Sequence, residues 1–233
     1  MKKKKLVIIV SSIAVIALIG GTYAAFTAST TTKHKVSTRD LGIALMQDED
    51  IEDESLRTEE LNGFGDAETT KGYRYRGMPG DTVEEKVWVK NTKTEPCFIR
   101  VTVNRSWMEQ NAAGGFEKTF EDGIDPAKIE INSDDKWIMV TDPDDAEIIY
   151  FYYKEEVPGG GFTTNVMNSF SILIESGGEE NGNSNAYAGL ATNLIFEAEA
   201  IQSAGAEEAM LAEWGVVAEI SNHQLNRAPE FQQ

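Results

Sequence analysis

Between Leu41 and Ile201 the apolar residues recur at every second position in short runs, and most runs are closed by glycine, proline, asparagine or aspartate. A repeat of two is that of a strand with one buried face, and it does not fit a helix. Leu41, Ile43 and Leu45 share a face, as do Val83, Val87 and Val89, then Ile99, Val101 and Val103. The turn Pro79-Gly80-Asp81 opens the second run because proline presets one dihedral angle and glycine tolerates a positive one. Asn91-Thr92-Lys93-Thr94 separates the second run from the third, so a β-hairpin is expected there. Residues 109–135 hold Gly114-Gly115, Asp122-Gly123 and Asp125-Pro126 without a sustained period, and read as a long, partly irregular insertion. Residues 48–60 carry Asp48, Glu49, Asp50, Glu52, Asp53, Glu54, Glu59 and Glu60, too much like charge for a packed strand, and read as a solvated excursion.

Trp137 to Val140 forms a short strand, and Glu147 to Lys154 a longer one. The latter is apolar or aromatic on both faces and is expected to lie centrally, covered on both sides. Val157-Pro158-Gly159-Gly160-Gly161 turns the chain, after which Phe170, Ile172 and Ile174 face inward. A polar loop at 176–185 precedes Leu194, Phe196, Ala198 and Ala200 on one face of a last strand. The period then changes. Ala206, Ala209, Met210 and Trp214 lie three or four apart, with Gly215 as the stop, predicting one short helix. The fold class that follows is mainly β: an antiparallel β-sandwich, of jelly-roll or immunoglobulin-like type, with a short C-terminal helix and irregular insertions.

Cys97 is the single cysteine, so no intramolecular disulfide can form and packing alone must hold the fold. It shares a strand face with Ile99, Val101 and Val103, which points to a buried, inert thiol. The chain has 21 basic and 39 acidic residues, a formal charge of −18, which repels nucleic acid and anionic headgroups.

The first residues describe an export leader. Lys2 to Lys5 precede an apolar run from Leu6 to Gly21, shorter than the roughly 20 residues of a membrane span, and small residues follow. Cleavage is expected between Ala24 and Ala25, by a signal peptidase during export, with contact to the membrane only through the uncleaved leader. Without the four leader lysines, 17 basic residues face 39 acidic ones, a charge of −22. The expected organisation is residues 1–24 as signal peptide, 25–40 as an extended segment, 41–220 as the β-sandwich domain and 221–233 as a polar tail.

Catalytic hardware is hard to find. His34 and His223 stand apart, and neither lies in a His-Glu-x-x-His helix, a nucleophile elbow or a Cys/His zinc spacing. The expectation is no enzyme, no catalytic residue and no cofactor. Asp134-Asp135 and Asp142-Pro143-Asp144-Asp145 flank the Trp137 strand and would offer oxygen ligands to Ca²⁺ if they met at one end of the sandwich, although solvated acidic turns are the plainer reading. Tyr73-Arg74-Tyr75-Arg76 would stack on sugars if exposed, and otherwise forms a strand with half-buried tyrosines.

Several stretches together resemble the bacterial exported proteins of the TasA, CalY and camelysin family, whose leaders are cut by a SipW-type signal peptidase. Gly21-Thr22-Tyr23-Ala24-Ala25-Phe26 is similar to the end of the family's leader. Pro79-Gly80-Asp81-Thr82-Val83, the stretch to Thr94, where Lys93 stands in place of a glycine, and Phe98-Ile99-Arg100-Val101 resemble its turns and strands. Tyr150-Phe151-Tyr152-Tyr153-Lys154, Pro158-Gly159-Gly160, Tyr187-Ala188-Gly189-Leu190 and Glu197-Ala198-Glu199-Ala200-Ile201-Gln202 resemble later parts. The resemblance implies a jelly-roll sandwich, secretion to the extracellular matrix or cell surface, and assembly into biofilm fibres. In those, the N-terminal segment of one subunit completes the sheet of the next. Here the donor would be the β-branched stretch after the leader, with Phe26, Thr30, Thr32, Val36 and Thr38 as its strand positions. The partners implied are further copies of the chain and other matrix or surface components; a monomeric adhesin is the alternative. The protease label that camelysin carries finds no ligand motif in this sequence.

Overall fold

The computed structural model describes residues 27–28, 42–47, 57–60, 69–75, 80–119, 123–173 and 186–231. The fold is mainly β, with antiparallel pairing throughout the described sheets. The strands in chain order are β1 (Thr27–Ala28), β2 (Ile43–Gln47), β3 (Arg57–Glu60), β4 (Thr70–Tyr75), β5 (Thr82–Asn91), β6 (Cys97–Gln110), β7 (Phe116–Lys118), β8 (Ile129–Asn132), β9 (Trp137–Thr141) and β10 (Ile148–Tyr153). They continue with β11 (Met167–Ile172), β12 (Ala191–Gln202), the helix α1 (Ala206–Trp214), β13 (Val216–Val217), β14 (Ile220–Ser221), β15 (Gln224–Leu225) and β16 (Glu230–Phe231).

The larger sheet has the order β3-β4-β12-β6-β10-β9, with β1 also on β12 and β7 on β6; the smaller has the order β2-β5-β11-β8. Their inner faces meet in one core. Val83, Val87, Val89, Phe170 and Ile172 come from the smaller sheet, and Ile99, Val101, Val103, Phe151, Leu194 and Phe196 from the larger. A second cluster covers the outer face of the larger sheet, where Phe98, Tyr152 and Ile201 pack beneath Ala206, Met210 and Trp214 of α1. The helix stops where expected, at Gly215 with φ 65°, a left-handed conformation that suits glycine. β10 is thereby covered on both faces, as its aromatic run implies.

The structure corrects four expectations. First, β5 and β6 do not form a hairpin: they belong to different sheets, and residues 92–96 arch from one to the other. Both strands alternate inward and outward, so their buried faces oppose each other across the core. Pro96 has no N–H to donate, and Cys97 instead exchanges backbone bonds with Val157 at 3.0 and 2.8 Å. The Asn91 side chain holds the arch, donating to Glu95 O at 2.8 Å and accepting from Lys93 N at 3.1 Å. Second, the interval 109–135 is partly irregular as expected, but it is more than an insertion, because it supplies a core strand. It carries β7 and β8, and Ile129 and Ile131 of β8 are buried in the core. Third, the acidic stretch contains β3, which pairs with β4. Fourth, residues 221–231 are not a polar tail, because β14 and β15 form a hairpin whose turn residues Asn222 and His223 have φ of 50° and 62°, and Leu225 is buried in the outer cluster.

Candidate functional site

β12 is held on one side along its whole length. All twelve residues pair with β6, from Ala191 opposite Met108 to Gln202 opposite Cys97. On its other side β4 pairs only with Thr192 to Glu197, and the ladder closes with Ala198 N donating to Thr69 O at 2.9 Å. Beyond that point the same edge carries β1, with Ala28 opposite Ala200 and Thr27 opposite Ile201. β1 and β4 therefore lie in tandem along one edge and run in the same direction.

The hydrogen-bond pattern shows which groups this edge presents. In an antiparallel ladder alternate residues direct both backbone polar groups to the same neighbour. Ser203 N bonds to Pro96 O on the β6 side, and Ala198 N bonds to Thr69 O on the β4 side. Ala200 and Gln202, in phase with Ala198, thus direct N–H and C=O toward the edge that β1 occupies. Their neighbours Glu199 and Ile201 bond toward β6.

Side chains fix this end of β12 from both faces. Ala198 and Ala200 are buried in the core. On the outer face Arg100, opposite Glu199, donates from Nε at 2.9 Å and from Nη2 at 2.5 Å to Glu199 Oε2. The Arg100 guanidinium lies 5.1 Å from the ring centre of Tyr150 and 4.8 Å from that of Trp214. Burial, then the charge of Glu199, raises the pKa of Glu197, and the Arg100 charge opposes that rise. The arrangement is a rigid strand with a backbone edge, suited to binding an extended chain.

The expected cleavage residues Ala24 and Ala25, and the expected donor positions Phe26, Thr30, Thr32, Val36 and Thr38, lie outside the described residues. What is described of segment 25–40 is Thr27–Ala28, and it lies on β12. The sequence gives no hint of this partner, because the mismatch in length between β12 and β4 appears only when both are assembled.

Other candidates are dispersed. Tyr73 and Tyr75 are fully buried, not half-buried or available to sugars: Tyr73 donates to Gln47, Tyr75 donates to Glu85 Oε2 at 2.6 Å, and Arg74 lies 4.6 Å from the ring centre of Phe116. Arg76 lies outside the described residues. The two acidic turns sit at opposite ends of β9 and do not converge. Asp134 Oδ1 accepts from Lys136 N, and Asp142 Oδ1 accepts from Asp144 N and Asp145 N. No group of three His, Cys, Asp or Glu residues with metal-holding geometry occurs among the described residues. His223 is exposed, with Nδ1 3.0 Å from Glu156 Oε2, while His34 is outside the described residues. Among the described residues no helix is long and apolar enough to cross a membrane. Cys97 is fully buried and its thiol pKa is pushed up to about 12, first by burial and then by the charge of Glu156. Comparison of the chain with protein-family models, with curated proteins and with solved structures finds no match.

Proposed function

We propose that the chain is an exported structural protein whose copies join head to tail, segment 25–40 of one copy adding to the β12 edge of the next. The observation that carries this reading is the tandem of β1 and β4 on one edge of β12. Among the described residues, β1 pairs with this edge through Thr27 and Ala28 of the same chain. The same segment from a neighbour would make the same backbone bonds, as in a domain swap, and would continue past Ala200 to the group directed outward by Gln202. Such a contact is heterologous and does not close on itself, so repetition gives a filament. The leader pattern supports export and cleavage near Ala24, which frees the donor segment. The family resemblance supports the jelly-roll connectivity and the setting, a biofilm matrix or cell surface. The role is structural and calls for no catalytic residue or cofactor.

A peptide comprising residues 25–40, added to protein that begins at residue 41, tests the docking step. Bound peptide is expected to slow amide exchange at Ala200 and Gln202. Exchange at those two amides that is indifferent to peptide, or binding mapped to another edge, would overturn the reading and favour a monomeric adhesin.

A further inference from the structure

We propose that β9 is a second pairing edge, one that joins two copies of the chain through antiparallel β9 strands related by a twofold axis centred on Met139. β9 ends the larger sheet. It reads Trp-Ile-Met-Val-Thr, without a charge, proline or glycine, and Met139 is 54 % exposed. Sheet edges are commonly protected by charged residues or proline, and a run without either is a template for another strand. Among the other terminal strands, β3 carries Arg57, Glu59 and Glu60, and β8 carries Glu130.

The ladder to β10 identifies the outward groups. Lys154 N donates to Lys136 O, and Asp142 N donates to Ile148 O. Even-numbered residues of this stretch therefore bond toward β10, and Trp137, Met139 and Thr141 direct their backbone groups away from it. Trp137 N is already bonded to Asp134 O. Among the described residues, two outward N–H groups remain without a backbone partner, on Met139 and Thr141. In a twofold register centred on Met139, Met139 N–H meets the partner copy's Met139 carbonyl, and Thr141 N–H meets the carbonyl of Trp137. Every outward donor finds an acceptor, four bonds in all, and the internally satisfied Trp137 N–H is not needed.

The flanks decide between β9 and the other uncharged edge, β2. The same register sets Lys136 opposite Asp142 twice, an attraction at both ends of the pair. Centred pairing of β2 sets Gly42 opposite Asp48 and gains nothing comparable. Further out, Asp134 meets Asp144, a like-charge pair that adds to the repulsion between two acidic chains. Salt screens the attraction and the repulsion alike, and between two chains of formal charge −18 the repulsion is the larger sum, so pairing strengthens as ionic strength rises. This contact uses neither segment 25–40 nor β12, and it would link head-to-tail filaments side by side.

Amide hydrogen exchange on the full chain, over a range of protein concentrations at low and high salt, tests the proposal. Met139 and Thr141 are expected to slow by about tenfold when nine-tenths of the chains are paired, while Ile138 and Val140, bonded to β10, stay protected at every concentration. Met139→Pro removes an outward donor without removing a β10 bond, and Met139→Lys adds a charge to the edge. Each is expected to abolish the concentration dependence and leave filaments that depend on residues 25–40 intact. Exchange at Met139 and Thr141 that does not change with concentration would overturn the proposal. So would self-association unaltered by both substitutions, or protection lost when residues 25–40 are deleted, which would make that segment the occupant.

Discussion

Replacing Glu199 by glutamine leaves Arg100 charged, largely buried and without its counter-ion. The two side chains are 10 % and 16 % exposed, and both guanidinium bonds converge on a single carboxylate oxygen. At a charge separation of about 4 Å and an effective dielectric constant near 20, the attraction is about 4 kcal/mol. Desolvation of both groups offsets much of that in the intact pair, so the pair itself adds little; breaking it exposes the full penalty on Arg100. Tyr150 and Trp214 return a part through their ring faces, at 5.1 and 4.8 Å. The residual exposure lowers the cost further. The expected loss for Glu199→Gln is about 2 to 3 kcal/mol, read as a lower urea midpoint at unchanged slope. For a domain of this size that corresponds to a fall in Tm of about 6 °C. The double substitution Arg100→Met with Glu199→Leu removes both charges and keeps apolar bulk under Trp214, and it is expected to lie within about 1 kcal/mol of the parent. A Glu199→Gln variant as stable as the parent would show that solvent or Glu197 satisfies Arg100. A double variant as unstable as the single would refute the unpaired-charge argument itself.

Three further outcomes follow from local geometry. Gly159→Ala places a Cβ 2.3 Å from the Thr94 carbonyl oxygen, which is backbone and cannot rotate away, for a cost of about 1 to 3 kcal/mol. Gly160→Ala meets open space and bears only the strain of φ 73°, about 1 kcal/mol, so denaturation should rank Gly159→Ala as the worse; the reverse order would place the arch elsewhere. The Cys97 thiol, raised to about 12, should react with a thiol reagent at pH 8 only as fast as the protein unfolds, and its contribution to stability should fall as pH rises from about 9 toward 12. Rapid labelling of the native chain would contradict its burial. Asp142 is held below the usual carboxylate range chiefly by the backbone N–H of Asp144, against some desolvation, with help from the Tyr150 hydroxyl and the N–H of Asp145. A depressed folded pKa adds stability above the unfolded value of about 3.9, lost as pH falls through the folded value, and urea titrations should show Asp142→Asn flattening that acid limb.

Most strands and the helix were legible because their signals are local. Val83, Val87 and Val89 alternate whatever strand they pair with, and Met210 and Trp214 lie four apart whatever they cover. Pairing partners are a different matter. The alternation of β5 and β6 is the same for a hairpin and for an arch, and the choice rests on Val157 reaching Cys97 from sixty residues away. β8 was hidden because four residues among turn signals are too few to show a period, although Ile129 and Ile131 are fully in the core. The buried Leu225 was masked by its polar neighbours. At the candidate site, a proposed donor segment could be marked from β-branched residues after the leader, of which the structure describes Thr27–Ala28. The acceptor half could not, because β12 is unusual only in outlasting β4.

The central claim is that segment 25–40 joins one copy to the next at the β12 edge. Negative-stain electron microscopy of purified protein beginning at Ala25, beside the same protein lacking residues 25–40 at matched concentration, tests it most directly. Filaments from the first and none from the second are the result expected. Filaments from both, or from neither, would contradict it.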